Sequence, residues 1–398
     1  MTTIYKENDN VYMNIVFDHS AAKYSISPIV APIGEQTQSA DYNVTKTLPI
    51  LDKASNYYAS VIRFDIPLNT IPIYIMKIIP MQSDPNLTPF IIGISYLGAN
   101  YSVYLEYIPN APGFPAPVQD QPVQVITPYY FNYSYGTLID MFNIALSKVW
   151  ISSNLASINP TVSPPFFYLD PITQLINLVV GNIFVVANPP IIYINASSIK
   201  YLDGFQFGFF GFNQPYGKDY FFVLNNNLSP TVPPPALSPT VDKYYVNPLL
   251  LQPTPPIAPV PYWRYSQDFS SLALWSSLRK IIISTNTIPI SNEYIPTGNN
   301  SNNQSGVAAS FPILTDFVPQ IESSGQSRSV AYYVPTSQYR LIDMISDMPL
   351  QKIDLKLYWE DIDGNLYPIL ISLYQQANVK LAFLRKSLYK PMQQLLYK

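Results

Sequence analysis

The chain has 398 residues, of which 48% are hydrophobic and 14% aromatic but only 12% charged, with 40 prolines, 33 tyrosines, one histidine and no cysteine. That much apolar and aromatic surface can offset chain entropy, which excludes disorder, and the missing thiols exclude a disulfide framework, a thiolate nucleophile and a thiolate zinc site. With His19 alone a multi-histidine metal site is excluded too, and a net charge of -3 argues against a surface that grips nucleic acid over its whole extent.

An ordinary globular domain is about a quarter charged. Here tyrosine, asparagine, serine and proline stand where charges usually do, a composition found on surfaces that other chains cover. Composition alone leaves two readings open, an assembly subunit and a neutral secreted β protein. The first 17 residues carry Lys6, Glu7 and Asp9 with no long apolar run, which does not read as a secretory signal. The most apolar window, 71–79, is short and holds Pro72 and Lys77, too little for a membrane helix. The expectation is a soluble chain or one that lies in a particle.

Period-two patterns dominate. Over 58–66 one face reads Tyr58, Ser60, Ile62, Phe64, Ile66 and the other carries Arg63 and Asp65, which predicts a half-buried strand ending at Pro67. Strands are expected over 71–79, 90–96 and 101–108, with Gly98, Ala99 and Asn100 as a hairpin turn. Over 137–155 the period changes. Leu138, Phe142, Ala145 and Val149 recur at helical spacing, Asp140, Asn143, Ser147 and Lys148 mark the opposite side, and Thr137 with Asp140 resembles a capping box. A second, weaker helix is expected over 269–280. Both helices are expected to pack a stripe on the sheet rather than to line a ligand groove.

Strands are expected again over 166–169, 175–180, 183–186, 191–194 and 220–224. Eleven prolines between Pro230 and Pro261 forbid regular ladders and predict an extended linker or wrapping arm. The Asn, Ser and Gly-rich stretch 297–306 predicts an exposed loop. Near the end Ile353, Leu355, Leu357 and Trp359 alternate with Asp354, Lys356, Tyr358 and Glu360, Asp363-Gly364 signals a hairpin, and a last strand is expected over 379–384. Lys380, Arg385, Lys386, Lys390 and Lys398 follow with no acid among them, so the tail is basic although the chain is acidic.

Catalytic constellations are missing. No Gly-x-Ser-x-Gly elbow occurs, and His19 between Asp18 and Ser20 reads as a turn residue. The run Asp361 to Asn365 has oxygen ligands at alternate positions, but a calcium loop would need Gly where Leu366 stands and Glu at Ser372. Gly204 to Gly211 lacks phosphate-loop spacing. The expectation is a protein without catalytic residues, metal or cofactor.

Several segments together resemble the jelly-roll minor capsid or penton proteins of virophages, polinton-like viruses and related icosahedral DNA viruses: Tyr57 to Pro67, the 133–150 helix region, Tyr339 to Asp343, Tyr358-Trp359 and Gly364 to Pro368. The resemblance implies a non-enzymatic virion subunit, assembled inside the host cell, built on antiparallel jelly rolls and packed by symmetry against itself, for instance as a pentamer, and against other capsid proteins. One roll with a large insertion and two rolls in tandem, as in major capsid proteins, both fit this length. A receptor- or glycan-binding spike and a hydrolase on a β scaffold are the competing functions.

The combined expectation is an all-β, antiparallel jelly-roll sandwich in two lobes with one or two short helices. Residues 1–228 would form an N-terminal lobe with the helix near 137–155, 229–261 a proline-rich linker or arm, and 262–398 a C-terminal lobe. Lys380, Arg385, Lys386, Lys390 and Lys398 would form a docking tail toward acidic protein, genome phosphate or an inner membrane. No small-molecule substrate is expected.

Overall fold

A computed structural model describes residues 3–7, 9–18, 37–76, 79, 86–108, 131–158, 162–170, 172–211, 214–224, 228–231, 262–291, 293–295, 309–319, 330–333, 340–372 and 375–388. His19, Lys390, Lys398 and the 297–306 stretch lie outside them, as do 232–261 of the proline-rich segment.

Alternating strands with one apolar face must bury that face on a second sheet. Two sheets do this around the first core. One runs Thr3–Glu7, Asn10–Asp18, Gln376–Arg385, Tyr57–Pro67, Val330–Tyr333, and the other Ile313–Phe317, Leu278–Ser284, Lys352–Asp361, Leu366–Pro368, with Asp41–Thr45 on the far side of Lys352–Asp361. All of these pairs are antiparallel. Eight strands, 10–18, 41–45, 57–67, 278–284, 313–317, 330–333, 352–361 and 376–385, divide four to each sheet, the chain crossing between the sheets at every step except 278–284 to 313–317, which pair with each other, and the second strand of the chain pairs with the last. This is a jelly roll. Its core holds Met13, Ile15, Phe64, Ile281, Leu355, Leu381 and Phe383, each at most 1% exposed.

Between Tyr57–Pro67 and Leu278–Ser284 the chain builds a second lobe, the insertion. Its five-stranded sheet runs Phe207–Phe209, Tyr220–Phe222, Ile191–Ile194, Leu87–Tyr96, Ala99–Glu106, and its four-stranded sheet Phe166–Leu169, Ile176–Gly181, Tyr262–Ser266, Ser229–Thr231. The hydrophobic cluster of this lobe spans Ile73 to Trp275 and is rich in rings. Tyr74, Tyr201, Tyr135 and Trp275 meet at centroid distances of 5.3–6.0 Å, and Phe167, Phe205 and Phe222 at 5.4–6.2 Å. Such pairs add to the area term when they meet edge to face.

The two lobes are therefore nested, not consecutive. The expected boundary at 229–261 falls inside the insertion, where Pro230 pairs with Trp263 across that segment, so the proline-rich chain leaves and rejoins one sheet instead of linking two lobes. The expected 1–228 lobe is divided because Asn10–Asp18 needs Gln376–Arg385 as its neighbour.

The helix forms over Tyr135–Ser152, with Ser134 and not Thr137 at its N-cap position, and it is not amphipathic as expected. Asp140, Asn143 and Ser147 are 2%, 6% and 3% exposed, because the helix packs on Ala99–Glu106 and Leu87–Tyr96 of one sheet and Phe166–Leu169 of the other. Asn143 earns its burial by completing the Phe166–Leu169 edge: its amide donates to Phe167 O at 2.9 Å and accepts from Phe167 N at 2.6 Å.

The expected 269–280 helix is only a 3-10 turn, Leu272–Trp275, since Leu278 already starts a strand whose Ile281, Ile282 and Ile283 are fully buried. Residues 182–184 likewise form a 3-10 turn where a strand is expected. In Tyr57–Pro67 the expected face is interrupted. Ala59, Val61, Phe64 and Ile66 point inward, because a bulge opposite Lys380/Leu381 takes up Ile62 and flips the alternation.

Candidate assembly surfaces

On the outer face of the sheet that carries both chain ends, Asn14, Lys380 and Arg63 stand in one cross-strand row. With Asp65 and Asn378 they line a shallow groove of about 410 Å3. Asn378 donates to Asp65 at 2.7 Å, and the Lys380 ammonium lies 5.6 Å from the Tyr12 ring centroid.

The other sheet turns an ion network outward. Glu360, 3% exposed, takes Arg279 at 3.0 Å and Lys280 at 3.3 Å, and Asp316 bridges Lys280 and Arg340 at 3.3 and 3.0 Å. On the same strand as Glu360, Asp354 accepts from Thr285 Oγ1, Thr287 Oγ1 and the Asn286 and Thr287 amides at 2.8–2.9 Å, and from Asn286 Nδ2 at 3.2 Å. Burial acts to raise its pKa, but the hydrogen bonds from Thr287, Asn286 and Thr285 outweigh it and hold the carboxyl below the usual range. At the tip, Asp361 Oδ1 accepts the Asp363 and Asn365 amides while Gly364 takes φ +85°, the hairpin that Asp363-Gly364 signals.

The basic tail is partly tied to its own subunit. Arg385 pairs with Asp9 and its amide donates to Asn10 Oδ1. Lys386 pairs with Asp343, donates to Met344 O at 3.2 Å and lies 5.3 Å from the Tyr58 ring centroid. Lys380, Arg385 and Lys386 thus belong to the roll and do not converge on one surface. The acidic partners of Arg385 and Lys386, Asp9 and Asp343, come from the far end of the chain and from another strand, so spacing could not reveal them.

Exposed apolar side chains mark further surface. Residues 46–55 run beside 346–351 through Lys46 N to Gln351 O, Ile50 N to Leu350 O and Ser55 N to Ser346 O. Leu48, Ile345 and Met348 project from this ladder at 77%, 62% and 71% exposure. The insertion exposes Ile151, Val185 and Val186 in the same way. Such exposed apolar side chains are available for contacts with other chains. Lys218, by contrast, is buried on the insertion's outer face, held by Asn100 Oδ1 at 2.9 Å and lying 4.3 Å from the Phe210 ring centroid, and desolvation lowers its pKa. Among the described residues no group of three or more His, Asp or Glu could hold a metal ion.

Comparison with known proteins agrees with this geometry. The Sputnik minor capsid protein V18/19 family matches residues 24–385. Structural protein V19 of Sputnik virophage is 30% identical over 230 residues, 56% of this chain and 95% of that protein. The Sputnik protein V18, whose function is uncharacterized, is 30% identical over 171 residues, 41% of this chain and 94% of its own length. A chain in the 3.5 Å cryo-EM structure of the Sputnik virophage superposes with a TM-score of 0.73 at 29% identity, covering 96% of this chain and 99% of that one. The mavirus penton protein superposes at 0.60 with 14% identity, covering 94% and 99%, a likeness of fold. With a roll closed by both chain ends, surfaces suited to other chains and a family match over most of its length, the chain belongs to the Sputnik minor capsid protein V18/19 family and is a structural, non-enzymatic protein of the virion that associates with other capsid proteins.

Proposed function

We propose that this chain is a penton-type subunit that closes the capsid as a ring of identical copies. The observation that carries this reading is the topology: one jelly roll interrupted by a single large insertion, where a major capsid protein of the tandem kind would show two rolls in succession. The mainly uncharged composition and the exposed Leu48, Ile345 and Met348 support ring contacts that depend little on salt. In this reading 1–72 with 277–398 form the assembling unit and 73–275 the appended one. Residues 389–398, with Lys390 and Lys398, dock on a neighbouring capsid protein, and genome phosphate or anionic lipid is the alternative target of those two cations.

Electron microscopy of the purified protein, with sedimentation at low and high salt, tests the ring. Five-membered rings stable in both salts are expected, and a monomer at micromolar concentration in both overturns the proposal. Deleting 389–398 leaves Lys386 and its ion pair in place, so the truncated chain is expected to fold and to enter particles less well. Incorporation at the full-length level overturns the docking role.

A further inference from the structure

The joint between roll and insertion contains polar groups with no partners. Tyr74 and Asn132 face each other on two short paired strands, and the Tyr74 hydroxyl and the Asn132 Nδ2 both lack a hydrogen-bond partner. Asp140, on the helix that follows, acts electrostatically on Tyr74 and its Oδ2 is also buried without a partner. These residues sit where the chain passes between lobes. Ser277 N donates to Ile73 O at 3.1 Å, Ile75 N donates to Ser277 Oγ at 2.8 Å, and Phe131 reaches the roll's core against Trp359 and Tyr367.

A buried carboxylate oxygen without a donor, as Asp140 Oδ2 is among the described residues, is among the most costly groups a protein can hold when ionised. Asp140 is the sixth residue of its helix, beyond the first turn where the helix dipole would favour an anion. No charged group faces it among the described residues. Glu106, on a strand packed against the helix, is taken up by Lys148. The other titratable groups on the packed strands are the tyrosines Tyr96, Tyr101, Tyr104 and Tyr168, and Tyr107 and Tyr201 flank Tyr74.

We propose that Asp140 makes this joint a proton-dependent clasp, closed while the side chain is the neutral acid and loosened when it ionises. Burial alone raises its pKa to about 7. The sign follows. Below about pH 4 the acid is neutral in both the folded and unfolded chain; between there and about 7 only the unfolded chain ionises, so stability falls as pH rises; above about 7 the full penalty persists.

The test is unfolding of the full-length protein from pH 5 to 8.5, wild type against Asp140→Asn, the near-isosteric mimic of the neutral acid. Relative to the variant, the wild-type unfolding constant is expected to rise about a hundred-fold across that range. A difference independent of pH overturns the clasp. At pH 8 the amides of Ile75 and Ser277 are expected to exchange hydrogen faster in the wild type than in the variant, and equal protection overturns the assignment to the joint. Should the variant fail to fold, an infrared titration of the wild type decides: a protonated carboxyl present at pH 6 and lost by pH 8.5 supports the clasp, and full ionisation already at pH 6 overturns it.

Discussion

The roll's buried carboxylates, Asp354, Glu360 and Asp361, each meet donors or cations, whereas Asp140 Oδ2 in the insertion meets none among the described residues. The carboxyls of Asp354 and Asp140 therefore respond to acid in opposite directions. The Asp354 carboxyl stabilises the roll when ionised, so that contribution is present above the ordinary carboxylate range and is lost as pH falls through its depressed folded value. Asp140, in the proposed clasp, favours the folded insertion where its side chain is the neutral acid. The contrast shows that a buried carboxyl takes its pH response from the donors around it, not from burial alone.

The strongest way to separate the lobes is to cut one core at a time. Phe383→Ala in the roll and Trp275→Ala in the insertion each remove a ring at most 2% exposed and are expected to cost about 3–5 kcal/mol. Calorimetry should show each change lowering mainly its own transition. If both lower a single transition equally, the lobes are one cooperative unit and the comparison fails.

A smaller effect is expected from Asp354→Asn, which keeps the shape but removes the charge and half of the acceptor capacity that five donors share. The expected cost is about 2–3 kcal/mol at pH 7. Unfolding midpoints from pH 7 to 2.5 should show wild type and variant converging in acid, and a constant gap would mean that the charge is not what matters.

Arg385→Ala should have the smallest effect, about 0–1 kcal/mol, because both members of its pair with Asp9 are exposed. Added salt should shrink the difference further. A loss several times larger would show that the end of the chain holds the roll closed more firmly than its exposure implies.

What could be read from the residues follows the range of the interaction. The Lys352–Asp361 strand and the Asp363-Gly364 hairpin are legible because alternation and turn chemistry are local. The helix is legible as a helix, but the burial of Asp140, Asn143 and Ser147 is not, since it depends on two sheets closing over their side. The bulge that moves Ile62 out of the inward set answers to a strand more than three hundred residues later, and no period in Tyr58 to Ile66 reports it. Leu278 to Ile283 carries apolar spacing that fits either element until its neighbours Lys352–Asp361 and Ile313–Phe317 are known. The nesting of the lobes has the same origin, as does the pairing of Arg385 with Asp9. Of the five tail cations, the structure describes three.

Because Asn10–Asp18, beyond its hairpin with Thr3–Glu7, joins the roll through Gln376–Arg385, the order of synthesis matters. On the ribosome the insertion is complete once Trp275 has emerged, while the first strands of the roll must wait, with apolar residues such as Met13 and Ile15 uncovered, for the final strand to be made. Loop closure over nearly the whole chain makes this step slow, and unpaired strand edges are prone to wrong partners in the interval. The insertion is thus expected to reach its native form before the roll, which closes only once Gln376–Arg385 has emerged.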